Sequence, residues 1–264
     1  MTIDRKDMRM VRSSLYTVML AAVASGLLAP LQAAEIALYD ATYRVVTGDG
    51  GGEPGRSGEI RQRLGRECRD WVYRQDAEFE LPDSQVVAWE TSTRESMDAT
   101  EYQFDMTTRN GGSVDHVQGT AVMNAYSGRA VFAGPESTVL RIEPETLFPT
   151  QFTSALIDRA ESGDRYFSVP VFSGVDGQQV VQVTAVIGDP FDAPPAGTTA
   201  SLLGHRGWPV TLAYFNDGGD GDMRYQVHVD LLENGIARSM EFQDGDLSLS
   251  ISISAIEFVA PADC

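Results

Sequence analysis

The 264-residue sequence is 42% hydrophobic and 22% charged, with 38 acidic against 20 basic residues and a formal net charge of −18. That balance excludes a nucleic-acid partner, which needs clustered cations to neutralise phosphates. The two cysteines form no C-x-x-C and have no neighbouring histidine, which excludes the common zinc and thioredoxin-like motifs.

In chain order, residues 1–34 read as a signal peptide. Arg5, Lys6, Arg9 and Arg12 precede an apolar run over 15–31, and the small residues Ala33 and Ala34 follow it, so that cleavage after either is open. Ser25, Gly26 and Pro30 break the run as a spanning helix, and no cysteine near Ala34 could carry a lipid. The expected location is therefore the periplasm, reached through the inner membrane, and the cleaved chain is not expected to be an integral membrane protein. Lys6 is the only lysine, so every cation beyond the leader is an arginine. Residues 35–264 show no linker and read as a single domain. Export to an oxidising compartment makes Cys68 and Cys264 a candidate disulfide, the alternative being two free thiols.

Most of this domain alternates apolar and polar residues with period two. "EIALYDATYRVV" (35–46), "VVAWETSTRES" (86–96), "EYQFDMTTRN" (101–110), "RYQVHVDLLENG" (224–235) and "SLSISISAIEFV" (248–259) read as strands with one buried and one solvated face. Glycine-rich turns near 48–52, 110–112, 176–177, 234–235 and 244–245 join them as antiparallel hairpins. About a dozen strands are too many for a flat open sheet, so an all-β fold whose sheet curls is expected. One segment leaves this period: Pro149 and Thr150 signal a helix start, Phe152, Leu156 and Ile157 share a helical face, and Gly163 marks the end. The main helix is expected over 150–162. Segment 188–210, rich in proline, reads as a long loop, either a lid or an ordinary surface connection.

Catalytic signals are sparse. His116, His205 and His228 lie in different segments, and no serine occupies a G-x-S-x-G elbow. The acidic run 216–222 places His228, not a glutamate, at the twelfth loop position counted from Asp217, so it fails as an EF-hand. The glycines near 48–58 precede no G-K-[ST]. No catalytic residue, metal or cofactor is expected. A curved sheet can instead leave a cavity lined by large apolar side chains. Strand parity and helix face nominate Trp89, Phe104, Phe152 and Leu156 as its lining.

Several segments together resemble the EipB-type cell-envelope integrity family of α-proteobacterial periplasmic proteins. They are "ECRDWVYRQ" (67–75), "VVAWETS" (86–92), "ETLFPTQFTSALIDRAESGDRYF" (145–167), "VFSGVDG" (171–177), "WPVTLAYF" (208–215), and "LLENGIARSMEFQDGDLSLSISISAIEF" (231–258) before a terminal cysteine. The resemblance implies a long antiparallel sheet wound into a β-spiral or open barrel, similar to periplasmic lipoprotein carrier folds. It also implies a Cys68–Cys264 disulfide fastening the last strand as the outer end of the spiral. Asp70 and Phe152 depart from the pattern, which places a small residue and often a histidine there. The function implied is maintenance of the cell envelope without catalysis, by holding a lipid-like or peptide-like ligand, or a periplasmic partner protein, in the concave cavity. Two other readings are a scaffold whose cavity is closed by side chains and a periplasmic enzyme using His205 with nearby carboxylates.

Overall fold

The computed structural model describes residues 35–48, 57–81, 84–134, 137–175, 178–192, 200–202, 204–216, 223–244, 247–262 and 264. The expected signal peptide, most of the glycine-rich 48–52 segment and most of the acidic 216–222 run lie outside these residues. Ala33–Cys264 forms one compact unit.

The fold is all-β with one main helix. The first half is an antiparallel meander: β1 (Tyr39–Gly48), β2 (Ser57–Glu67), β3 (Asp70–Glu80), β4 (Val86–Ser96), β5 (Glu101–Asn110), β6 (Ser113–Met123), β7 (Gly128–Phe132) and β8 (Thr138–Ile142). Helix α1 (Pro149–Glu161) follows. The second half comprises β9 (Tyr166–Val171), β10 (Val181–Ile187), the two-residue β11 (Phe191–Asp192), β12 (Arg206–Asn216), β13 (Met223–Leu232), β14 (Ala237–Asp244) and β15 (Leu247–Phe258). Among the described residues all fifteen strands belong to one sheet, ordered β8-β7-β6-β5-β4-β3-β2-β1-β15-β14-β13-β12-β10-β9, with β11 against β12.

The sheet is not closed, because β8 and β9 remain its two edges. The connection between them brings these edges together: Leu147 N–H donates to the Pro170 carbonyl at 2.9 Å, and Phe172 N–H donates to that of Leu147 at 3.0 Å. The curling expected from strand number is thus sealed by the segment that leads into α1.

The last strand is not an outer end. β15 pairs with β14 on one side and with β1 on the other, in the middle of the sheet. Its backbone groups are already satisfied along both edges, so the disulfide has a different object. Cys264 lies beyond β15 on a tail that crosses the end of β2, where Ala262 N–H donates to the Arg66 carbonyl at 2.9 Å. There it bonds Cys68 at the tip of the β2–β3 hairpin, with the two Cα atoms 5.4 Å apart.

The core follows from the alternation. β1 buries Tyr39, Ala41, Tyr43, Val45 and Thr47 and solvates the residues between. Helix α1 begins one residue before the expected start and buries Phe152, Leu156, Ile157 and Ala160 against the main core. A second cluster joins Tyr102, Phe104, Phe132, Phe148 and Phe172, with Tyr102 stacked on Phe148 at 5.0 Å between centroids. The proline-rich segment is shorter than expected as a loop: β11 pairs within it, and its last residues, from Arg206, already belong to β12.

Candidate functional site

The register of β1 to β5 places two rows of side chains on one face of the sheet. In one row Gln62 faces Gln75, Gln75 faces Thr91, and Thr91 faces Met106. In the next, Tyr39 faces Leu64, Leu64 faces Tyr73, and Tyr73 faces Thr93. Glutamine and threonine in these places fill less space than the aromatic residues that occupy the same face elsewhere. The result is a cavity of about 480 Å³, covered by Pro149, Thr150 and Thr153 in the first turns of α1 and flanked by Ser173 and Val175. That volume lies within the range of small-molecule sites, ~300–1,000 Å³.

The polar groups of the wall are ordered. Trp89 Nε1–H donates to Gln75 Oε1 at 2.6 Å, and Tyr102 O–H donates to the Ser173 carbonyl at 3.0 Å. Tyr39 O–H reaches Gln62 Oε1 at 3.4 Å, while the Tyr73 hydroxyl faces the amides of Gln75 and Gln62. Thr91 and Thr93 make no side-chain hydrogen bond among the described residues. No acid, arginine or histidine lines the cavity among those residues. Burial pushes the Tyr39 phenol up to about 12, and burial together with the neighbouring Tyr39 and Tyr102 pushes Tyr73 well above its ordinary value. The wall is therefore uncharged across the physiological range.

Just behind the helical cover, Glu95 on β4 is 3% exposed. Its two carboxylate oxygens accept the backbone N–H groups of Thr150, at 2.8 Å, and Gln151, at 2.9 Å. Phe148 stands at the N-cap position of α1 and has no side-chain oxygen to offer. A strand carboxylate thus does the work of an N-cap, satisfying donors that the helix leaves open. Burial raises the Glu95 carboxyl above its usual range, and the two N–H groups pull it partly back.

Of the four residues nominated from sequence, Trp89 lines the cavity, with its ring edge-on to Phe79 at 5.6 Å. Phe104 lies instead in the second aromatic cluster, 5.2 Å from the Phe132 ring and 3% exposed. It is admitted there because Gly119 and Gly174 carry no Cβ, which at either position would overlap its ring. Phe152 and Leu156 face the main core from α1, and Phe152 stacks on Phe167 at 6.1 Å. The helix turns its 149/153 side, one turn of spacing, toward the cavity and its 152/156 side away.

Sequence reasoning missed Gln62, Gln75, Tyr73, Thr91 and Thr93. The signal was present in "IRQRL", where Gln62 has the parity of buried Ile60 and Leu64, a polar residue on an otherwise apolar face.

The histidines lie apart from this cavity. His116 sits 3.3 Å from Asp105, and His205 Nδ1 lies 3.3 Å from Glu233, whose same oxygen accepts the Arg206 N–H. His228 is held at both ring nitrogens, by Thr211 at 2.9 Å and Gln226 at 2.7 Å. A second hollow of about 880 Å³ spreads over β2 to β5, where Arg61 pairs with Glu59 and Arg109 with Glu90, both at 2.7 Å.

The profile of the family described as EipB-like matches residues 30–260, which include every strand, α1 and the whole described cavity wall. The chain belongs to the EipB-like family. Within it, a protein from Brucella abortus (strain 2308) named cell envelope integrity protein EipB is 29% identical over 170 residues, 62% of this chain. That match spans 60% of the length of the Brucella protein. The chain also resembles a crystal structure titled beta-barrel-like protein of domain of unknown function DUF1849, from Brucella abortus. It matches with a TM-score of 0.74 over 85% of this chain and 99% of the other. At 24% identity this likeness concerns the fold. The family match extends past β15 and stops short of Cys264, so one half of the disulfide, Cys68, lies inside it.

Proposed function

We propose that this protein is exported to the periplasm as a single domain, residues 35–264, and supports the integrity of the cell envelope by holding a small lipid-like molecule in the cavity beneath α1. Its work is binding, with no bond made or broken. The observation that carries the reading is the cavity of about 480 Å³ with its partly polar wall, set beside a buried apolar core. Membership of the EipB-like family and the name of the Brucella relative support the envelope role. The leader pattern and the Cys68–Cys264 bond both suit an oxidising compartment.

Native mass spectrometry of protein purified under mild conditions, repeated after denaturation, tests the proposal. A bound mass that leaves on denaturation is expected. A bare mass, together with no uptake of a hydrophobic fluorescent probe, counts against a holding function. Retention of envelope function in a His205→Ala variant is expected as well, since His205 is committed to Glu233 and lies away from the cavity wall.

A further inference from the structure

We propose that the cavity receives an uncharged glycosyl group, with Gln62, Gln75, Thr91 and Thr93 as its hydrogen-bonding wall and Trp89 and Tyr73 as its apolar one. The inference rests on the ligand-holding reading above and narrows it to a chemical class.

Charge is the first ground. The chain is 22% charged, yet no acid, arginine or histidine lines the cavity among the described residues. A phosphate, carboxylate or ammonium group entering it would lose its hydration and meet no opposite charge, which is heavily unfavourable. Glu95, which lies behind the helical cover, already has both oxygens occupied by the N–H groups of Thr150 and Gln151.

Polarity is the second. A bare hydrocarbon chain would cover the Thr91 and Thr93 hydroxyls, which have no protein partner among the described residues, and leave them unpaired. A sugar hydroxyl both donates and accepts, as a threonine hydroxyl does. Gln75 is oriented for such a partner. Its Oε1 accepts from Trp89 and its amide meets the Tyr73 hydroxyl, and with two N–H groups it retains a donor for a hydroxyl in the cavity it lines. The half-buried rings of Trp89 and Tyr73 offer apolar surface of the kind that meets the C–H side of a pyranose.

The backbone supplies the third ground, against a peptide. Extended peptides are commonly held by adding a strand to a free sheet edge. The walls here are faces of β2, β3 and β4, each hydrogen-bonded to a strand on both sides. No edge is offered inside the cavity by these strands.

The test is direct binding by the purified protein. The probes are an array of neutral oligosaccharides, vesicles carrying digalactosyl diacylglycerol, a dansylated undecanoic acid and a capped uncharged peptide. Binding to the neutral sugars or to the glycolipid is expected, weakened at least tenfold in Gln75→Leu and in Thr91→Val/Thr93→Val. The second variant keeps β-branched residues in the strand and serves if the first fails to fold. Binding of both probes assigns the site to the glycosyl unit itself, and binding of the glycolipid alone identifies a membrane lipid as its source. Binding of the fatty acid without the sugars, undiminished in the threonine variant, overturns the glycosyl assignment while leaving the ligand-holding function standing. Binding of the peptide alone does the same. If no probe binds, both proposals fall.

Discussion

Glu95 is the single buried charged side chain among the described residues, and it connects β4 to the helix that covers the cavity. Glu95→Ala removes the acceptors of two backbone N–H groups, and the loss of stability is expected to be about 1–3 kcal/mol, read from denaturant midpoints. Because burial raises its folded-state pKa above the ordinary 4.5, the folded protein holds this proton more tightly than the unfolded chain does. The associated stability is complete below that ordinary value and is lost as pH rises through the raised one. Wild type should therefore lose stability relative to Glu95→Gln as pH climbs from about 4 upward, and a difference that does not change with pH would sink the assignment. The buried Tyr43 hydroxyl has no hydrogen-bond partner among the described residues. Tyr43→Phe removes a polar atom that is already desolvated and should leave stability unchanged or slightly raised. Tyr39, Tyr43 and Tyr73 all hold their protons above the ordinary phenol range, burial being the main cause. In an alkaline absorbance titration these three should ionise only with unfolding.

At the scale of elements, the position of β15 changes what the disulfide is expected to do. Bridging a sequence separation of 196 residues constrains the unfolded chain, by about 5 kcal/mol on the chain-entropy account. Cys264→Ser should lower the thermal midpoint, yet hydrogen exchange should quicken only in the tail beyond Phe258. Early loss of protection within β15 itself would contradict its central place. Much of this layer was legible in sequence. The segments 86–96 and 101–110 became β4 and β5 without change, because alternation and flanking turns agreed there. A phase slip was also written in "ISISAIEF" (251–258): Ile251 and Ile253 share one parity and Ile256 the other. The structure skips Ser254 in the pairing with β1, and its hydroxyl donates to the Thr42 carbonyl at 2.9 Å. The site was less legible. Parity could assign Trp89 to the inner face but could not separate a lined cavity from a filled one, since that depends on which side of α1 approaches which row. The cap of α1 was invisible for a similar reason, its carboxylate lying 55 residues before Thr150 in the chain.

Across the whole molecule, 38 acids against 20 bases leave a formal charge of −18 whose self-repulsion opposes the compact state. The ion pairs described are mostly exposed and contribute little individually. Added sodium chloride should therefore raise Tm between low ionic strength and about 0.5 M as the repulsion is screened. A flat or falling Tm would show that specific pairs, such as Arg94 with Asp70 at 2.9 Å, outweigh the net charge.

The pairing of β1 with β15 also orders events in time. A chain that emerges N-terminus first can zip β1 through β8 as successive hairpins, each strand meeting a neighbour already present. One side of β1 must wait until β15 appears: Tyr39 meets Leu64 of β2 early, but its partner on the other side, Phe258, comes last. Until then the half-built sheet carries an open edge that invites pairing with other chains. Completion then falls to the strand that lies between β1 and β14, and the tail behind it brings Cys264 to Cys68. The covalent bond is then less a brace for a loose end than a latch that closes after assembly.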